Sequence, residues 1–378
     1  MLNRRSLLLR SSMGLAGSLI PGMSFARAAT DKRLIFIIQR GAADGLGTII
    51  PTGDPMLSQH RAQLAVEGGM KLDGMFTLHP SLAQIGALYV AKQASFIHAV
   101  ASPYRDRSHF DAQNVLESGG LQPYAVKTGW LNRLVSLLPE GGKGAIALSP
   151  TIPMALRGPA QAASYAPSAL PDASADFVAR VTQLYADDAQ LAGLWGQALE
   201  TRSMAGDAGN ARDAAALGSL AAKVMAGLNG SKIAMIETTG WDTHSGQNAR
   251  LANQLTKLDA MIAAIKAGLG ADWADTLIII ATEFGRTVAI NGTGGTDHGT
   301  ASAAMLLGGA VKGGRVIADW PGLATSALYE GRDLKPTIGL DRLIASATAE
   351  HFGLDPIATG ELLFPNMTAR KPMSGLMA

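Results

Sequence analysis

The sequence contains no cysteine among its 378 residues. This absence excludes a disulfide framework, a thiolate metal site and a cysteine nucleophile. A metal ion in this protein must therefore be held by oxygen and nitrogen atoms, which in side chains means mainly carboxylates and imidazoles.

Charged residues are also scarce, at 16%, and no run of lysine or arginine occurs. Four arginines and no acid lie in residues 1–28, so the rest of the chain carries a formal charge of −2 instead of the +2 of the whole. We therefore expect no nucleic-acid partner. With 47% hydrophobic residues, the chain can bury a large core as one α/β domain or two smaller ones.

Residues 1–28 have the pattern of an export signal. The pair Arg4-Arg5 precedes a mildly apolar stretch, which closes with the small-x-small pattern at residues 26–28. This predicts a twin-arginine signal, the twin-arginine translocase as a partner during export, and a periplasmic or secreted mature protein over residues 29–378. An ordinary Sec signal is the alternative, because Leu7 stands where an aromatic residue is expected. No segment predicts a stable membrane span.

Two apolar runs without alternation, at residues 33–39 and 277–281, predict strands of a mostly parallel sheet that is covered on both faces. Helical patterns between the predicted strands complete an α/β fold. Residues 150–230, rich in alanine and polar residues, predict a helical insertion or cap that carries few candidate ligands. The tail from Phe364 is expected to be loosely ordered.

Acids and histidines follow several of the predicted strands. They are Asp44, Asp242, His244, Glu283, Asp297 and His298. Because the carboxyl ends of parallel strands meet at one edge of a sheet, these side chains predict a site for one or two divalent ions. The mixture of carboxylate and imidazole fits Zn²⁺ or Mn²⁺, with Mg²⁺ or Ca²⁺ where oxygens dominate. The alternative is that the Asp and His residues only cap turns and helices.

Polar residues also cluster before a helix that is predicted to end at Ser118. Arg105, Arg107 and Ser108 predict a catalytic group in which a hydroxyl at a helix N-terminus, beside His109, handles an anion. The alternative for Ser108 is a plain N-cap, with Asp111 completing a capping box. Four other histidines are interpreted as surface or core residues: His60, His79, His98 and His351.

Five segments resemble the signature blocks of the domain-of-unknown-function 1501 (DUF1501) family of exported bacterial proteins. They are residues 40–46, 108–111, 240–244, 282–287 and 295–299. That family resembles the alkaline phosphatase and sulfatase superfamily, which implies a doubly wound, mostly parallel sheet with one or two divalent metals at its carboxyl edge. The sulfatase Cys/Ser-x-Pro-x-Arg motif is absent, so the resemblance leaves Ser108 as the best-placed nucleophile.

Carried over residue by residue, the resemblance implies that Asp44 is the acid after the first strand. It implies that Asp242 and His244 bind one metal, and that Asp297 with His298 match the superfamily's Asp-His pair. We therefore expect an exported metal-dependent hydrolase of small anionic phosphate or sulfate esters. The alternative is a non-catalytic exported binding or assembly protein that keeps the fold and a structural metal.

Overall fold

The computed structural model describes residues 31–138, 144–167, 174–205, 213–365, 367 and 371–378. The predicted signal at residues 1–28 lies outside the described residues and stays a prediction. Within the described ranges, no helix is both long enough and apolar enough to cross a bilayer.

Twelve strands occur in the described chain. In order, β1 to β12 are Arg33–Gln39, Ile49–Ile50, Met70–Lys71, Thr77–Leu78, Ala94–Ala101, Ala145–Leu148, Ala162–Ser164, Ile233–Thr238, Thr276–Ala281, Ser302–Leu307, Arg315–Ile317 and Ile338–Gly339. The helices α1 to α11 are Gly45–Thr48, Leu57–Arg61, Ala83–Val90, His109–Ser118, Trp130–Val135, Ala175–Tyr185, Ala189–Ala205, Ala214–Met225, Gln247–Leu269, Leu340–Phe352 and Pro356–Leu363. Short 3-10 helices are Ala62–Leu64, Met154–Leu156, Gly270–Asp275 and Thr325–Ala327.

The main sheet has nine strands in the order β11-β5-β10-β9-β1-β8-β6-β7, with β12 beside β5. Strand β1 pairs in parallel with β8 and β9, and β8 pairs in parallel with β6. Strand β10 is antiparallel to both of its neighbours, β9 and β5. The predicted α/β fold with a doubly wound, mostly parallel sheet is therefore confirmed. A small sheet of β2, β4 and β3 lies in the segment between β1 and α3.

Both faces of the sheet are covered, as the unalternating apolar runs predict. Along β1, Ile35 and Ile37 belong to the core on one face, while Phe36 belongs to the core on the other. Every residue of β1 and of β9 is buried. The first core packs against α3, α8 and α9, and the second against α5, α10 and α11. The rigid sheet this creates fixes where its carboxyl edge lies.

Helices α6, α7 and α8 lie in the described part of residues 150–230, as the helical periodicity predicts, but strand β7 of the main sheet and a 3-10 helix also lie there. Helix α8 is half of a close pair with α9, since Leu220 and Ile262 share one core cluster. The division of the chain into a domain and an insertion or cap stays a prediction.

The expectation of a loosely ordered tail is wrong for the described residues 371–378. The Glu350 carboxylate of α10 accepts hydrogen bonds from the backbone N–H groups of Gly375, Leu376 and Met377, at 2.6, 2.7 and 2.9 Å. Leu376 is buried in the core. The tail is held by an acceptor on a distant helix and not by a helix or strand of its own. Such a contact leaves no local signal in the sequence.

Candidate metal centre

The loops that carry the candidate ligands all meet at one edge of the sheet. Strands β1, β8 and β9 are parallel and end there. Strand β5 ends there too, because β10 is antiparallel to both β5 and β9. For the same reason the segment that leads into β10 arrives at this edge. Residues that follow β5, β8 and β9 or precede β10 are thus brought together despite large separations in sequence.

The glycine-rich loops allow backbones to approach closely at this edge. Gly41 has a φ of +116°, and a Cβ there would lie 2.7 Å from the amide nitrogen of Asp242. A Cβ on Gly295 would lie 2.3 Å from the carbonyl carbon of His244. An antiparallel bridge between Arg286 and His298 joins the segment after β9 to the one before β10. The glycines are therefore required by packing between the ligand-bearing loops.

Three histidines converge on the carboxylate of Asp242. The Nε2 atoms of His244 and His298 lie 3.1 and 3.3 Å from its Oδ1, and Nε2 of His109 lies 3.6 Å from its Oδ2. The two atoms Nε2 of His244 and of His298 are 3.0 Å apart. His109, Asp242 and His298 each offer a ligand atom within 4.8 Å of the others.

Each of these histidines uses its other ring nitrogen, Nδ1, to contact an oxygen. His109 Nδ1 lies 2.8 Å from Oε1 of Glu283, and His244 Nδ1 lies 3.1 Å from Oδ1 of Asp297. His298 Nδ1 lies 3.1 Å from the backbone oxygen of Arg107. An Nδ1–H that donates to oxygen leaves the lone pair on Nε2, so all three rings present their ligand atom to the Asp242 carboxylate.

Ionisation in the cluster follows from these contacts. The hydrogen bond that His109 donates to the Glu283 carboxylate raises the pKa of His109, whereas burial, and then the charge on His109, lowers the pKa of His298. Burial would raise the pKa of Asp242, but Arg286 and His244 hold it below its ordinary value. The fully buried guanidinium of Arg286 donates to Oδ1 of Asp242 at 2.6 Å. Asp242 is therefore anionic at neutral pH and fixed in position.

The cluster is open to solvent on one side. The side chains of Asp242 and His244 are each 44% exposed, and that of His298 is 26% exposed. Structural zinc sites are closed, whereas catalytic ones keep a position that substrate or water can reach. Water or another small molecule can therefore reach the side chains of Asp242, His244 and His298.

Asp44 and Glu283, two of the predicted ligands, are engaged with protein groups. Oδ2 of Asp44 is 2.5 Å from Nη1 of Arg61 and 2.6 Å from Nε2 of Gln247, and the residue is buried. Glu283 is fully buried behind His109, and its Oε1 also accepts from Gly41 N at 2.8 Å. The structure thus brings together Asp242, His244, Asp297 and His298 as predicted, with Glu283 behind His109. Direct metal binding by these six residues stays a prediction.

The predicted catalytic residues lie just before α4. Ser108 is at the N-cap position with φ −93° and ψ 123°, but its side chain makes no capping bond, so the capping-box alternative is not borne out. Arg105 donates to the backbone oxygens of Ser102 and Tyr104. Arg107 pairs with Asp333 at 2.8 Å and with Glu330 at 2.7 Å.

Both guanidinium groups are thus bonded within the protein. Their predicted role in binding a substrate anion stays a prediction, as does the predicted catalytic role of Ser108. Arg107 also contributes to the centre through its backbone, whose oxygen contacts His298.

His109 belongs to the cluster, although the sequence pattern marks it only as a neighbour of Ser108. The available signal was its place at the first turn of a helix directly after strand β5, the same strand-end position that marked the other candidates. His109, Gln113 and Glu117 also stand four residues apart, which puts them on one face of α4.

The fold and the site define an α/β protein with an imidazole and carboxylate cluster at the carboxyl edge of a mostly parallel sheet. The chain belongs to the family described as "Protein of unknown function (DUF1501)", which matches residues 54–362. The family resemblance stated from the sequence blocks is confirmed. A search among curated proteins finds no match.

Similar solved structures include alkaline phosphatase-like enzymes. One is the C-terminal periplasmic domain of EcEptC from Escherichia coli in complex with Zn (10% identity, 75% of this chain and 74% of that chain, TM-score 0.35). Another is the alkaline phosphatase from the Antarctic bacterium TAB5 (11%, 76% and 95%, 0.37). A third is the phosphonate monoester hydrolase of Agrobacterium radiobacter (10%, 76% and 70%, 0.33). At such identities the similarity concerns the fold alone.

Proposed function

We propose that this protein is a divalent-metal-dependent hydrolase that acts on phosphate or sulfate esters. The observation that carries the proposal is the convergence of three Nε2 atoms on one anionic carboxylate, in a cluster that solvent can reach. Without a cation this arrangement places three imidazole lone pairs and a carboxylate together, which is unfavourable unless a proton or a metal lies between them.

The donor set fits a metal ion on a further ground. Nε2 of His109 is buried and has no hydrogen-bond partner, although its Nδ1 is held by Glu283. We assign His109, His244, His298 and Asp242 as the ligands, a set that suits Zn²⁺ or Mn²⁺. A single ion is proposed, because Oδ2 of Asp44 is already held by Arg61 and Gln247, and Oε1 of Glu283 by four protein donors. When bound, the ion would stabilise the negative charge that develops on an ester oxygen.

The residues around the ligands have distinct roles in this proposal. Arg286 holds the Asp242 carboxylate. An anionic substrate would meet the N-terminus of α4, where the first-turn N–H groups of a helix have no intrahelical acceptor. Ser108, directly before His109 and free of the capping bond, attacks the phosphorus or sulfur atom. A covalent ester then forms on Ser108 as the substrate alcohol leaves with the proton that the Ser108 hydroxyl gives up; in a second step water attacks this ester, releases the inorganic anion and returns a proton to Ser108.

We test the proposal by measuring the metal content of protein purified without chelator and then its activity on chromogenic phosphate monoesters, phosphate diesters and sulfate esters. One equivalent of zinc or manganese, with turnover that a chelator abolishes and added metal restores, is the expected result. Metal without turnover on any ester would favour the non-catalytic exported binding or assembly protein. The internal pairing of Arg105 and Arg107 is the observation that favours this alternative.

Export through the twin-arginine route is part of the proposal. The arginine pair is read by a receptor, so replacing Arg4 and Arg5 with lysine should stop export while the folded domain accumulates inside the cell. Fractionation followed by immunoblotting measures this. A normal periplasmic yield of the double variant would show that residues 1–28 are a Sec signal and not a twin-arginine signal.

A further inference from the structure

A polar stripe runs along the face of α4 that looks toward the ends of β1 and β9. We define it as His109, Gln113 and Glu117, which stand four residues apart and so project from one side of the helix. His109 and Gln113 both contact Oε1 of Glu283, at 2.8 and 3.0 Å. Glu117 instead contacts Arg40, directly after β1, at 2.8 Å. The stripe therefore connects His109 with the residues that follow β1 and β9.

Gln113 bridges Arg40, after β1, and Glu283, after β9. Only one orientation of its amide group satisfies both hydrogen bonds. Its Oε1 accepts from Nη1 of Arg40 at 2.8 Å, while its Nε2 donates to Oε1 of Glu283. Arginine can only donate hydrogen bonds and an ionised carboxylate can only accept them. A flipped amide would set donor against donor and acceptor against acceptor. Gln113 is thus oriented from both sides.

Arg40 is itself fixed by two carboxylates. Its Nη2 lies 2.8 Å from Oε1 of Glu117 and 2.8 Å from Oε1 of Glu237, and its side chain is only 18% exposed. Glu117 is buried and additionally accepts from the backbone N–H of Ala155 at 3.0 Å. The guanidinium of Arg40 is therefore fixed in position independently of Gln113. It supplies a rigid anchor for Gln113, and through it for Glu283.

We propose that Gln113 and Arg40 are positioning residues for the metal centre, because they fix the Glu283 carboxylate that orients the His109 ring. This inference rests on the proposed function. Oε1 of Glu283 receives Gly41 N–H, Ala42 N–H, Gln113 and His109. Gln113 is the side-chain donor among these that does not itself face the ion. Without Gln113 the carboxylate keeps the Gly41 and Ala42 N–H groups and the Thr282 hydroxyl but loses its donor on the α4 side. It can then shift, and the His109 ring with it, so that Nε2 is aimed less accurately at the ligand cluster.

The test is a comparison of Gln113→Leu with wild type by competition for zinc against a chromophoric chelator. Loss of the group that directly holds a metal-binding histidine typically weakens metal binding about 10- to 100-fold, and Gln113→Leu, which leaves Glu283 in place, is expected at the lower end, about 10-fold. Gln113→Glu should weaken binding at least as much, since a second carboxylate would face Glu283. The visible spectrum of the cobalt-loaded protein should change in both variants, because the His109 donor is displaced.

Asn114→Leu is the matched control. Asn114 stands next to Gln113 on α4, and its Oδ1 accepts from the backbone N–H of Tyr124 at 2.7 Å instead of contacting Glu283. The Asn114→Leu substitution should alter the thermal stability of the metal-free protein without changing its zinc affinity or its cobalt spectrum. Wild-type affinity in Gln113→Leu, when wild type binds zinc, would overturn this inference alone. Failure of wild type to bind zinc or manganese would overturn the proposed function and the inference together.

Discussion

At the scale of single residues, the histidines of the centre differ from the others by what binds their second nitrogen. His109, His244 and His298 each place Nδ1 on an oxygen and leave Nε2 at the cluster. His351 instead uses Nε2 for the backbone oxygen of Arg33. The sequence interpretation of His98 and His351 as core residues agrees with their complete burial.

A pair of substitutions separates the ligand set seen in the structure from the one predicted by sequence. His109→Ala should weaken zinc binding by more than the about 10- to 100-fold that loss of a supporting group causes, because it removes a direct donor. Asp44→Asn should leave the zinc affinity of the folded protein unchanged. It should instead lower the free energy of unfolding by about 3 to 5 kcal/mol, because Arg61 loses its buried partner.

The measurements are a chelator competition and urea unfolding of both variants. Loss of zinc by folded Asp44→Asn protein would show that Asp44 is a ligand after all and that the assigned donor set is incomplete.

Ser108 offers a second residue-scale prediction. Because its side chain makes no capping bond, Ser108→Ala should cost no more than about 0.5 kcal/mol of stability, the low end for an N-cap. Turnover of the ester identified by the substrate panel should fall at least about a thousandfold, since the attacking group is gone. Initial rates, zinc content and melting curves are compared with Ser108→Gly as the second variant. Near-wild-type rates in stable, metal-loaded Ser108→Ala would exclude Ser108 as the nucleophile.

At the scale of elements, α10 holds the C-terminal segment through one side chain. Glu350→Ala should lower the free energy of unfolding by about 2 kcal/mol, because three N–H groups lose a charged acceptor. Urea unfolding measures the change. Glu361→Ala, at an exposed position on α11, is the control and should stay within about 0.5 kcal/mol of wild type. Equal effects of the two substitutions would mean that the tail contributes nothing to stability.

At the scale of the whole molecule, buried neutral histidines set the response to acid. His98 is completely buried, and its pKa is lowered to about 4, chiefly by burial. In the unfolded chain the imidazole takes up a proton near pH 6.5. Between these values the unfolded state binds more protons, so the free energy of unfolding falls as the pH drops from about 6.5 to 4. This one residue accounts for about 3 kcal/mol of that loss.

His98→Gln tests this contribution, because glutamine can still donate to the Ile49 oxygen that lies 2.9 Å from Nε2 of His98. Metal-free protein is unfolded with urea at a series of pH values, so that the metal ligands do not dominate the result. The variant should lose about 3 kcal/mol less than wild type between pH 7 and 4. Their stabilities at pH 8, where both side chains are neutral, provide the reference. Parallel pH curves for the two proteins would contradict the assignment.

Residue order alone was enough to predict the parallel sheet and the edge at which the site would lie. Strand β1 was predicted with its observed bounds, Arg33–Gln39, and β9 within one residue. Unalternating β-branched runs can be buried only between two layers, so a local pattern carries this information. The same logic predicted the position of Asp242, His244 and His298, since acids and histidines on the loops that follow such runs lie at the carboxyl edge.

Tertiary structure decided which of those residues face one another. Nothing near Asp44 in sequence indicates that Arg61 and Gln247 occupy its oxygen. Likewise, Glu283 lies behind His109 because β9 and the start of α4 meet across the sheet edge, 174 residues apart along the chain. Strand and helix patterns repeat over a few residues and specify direction and burial. The distance between two side chains on different loops depends on how the whole sheet and its covering helices pack, which no local pattern encodes.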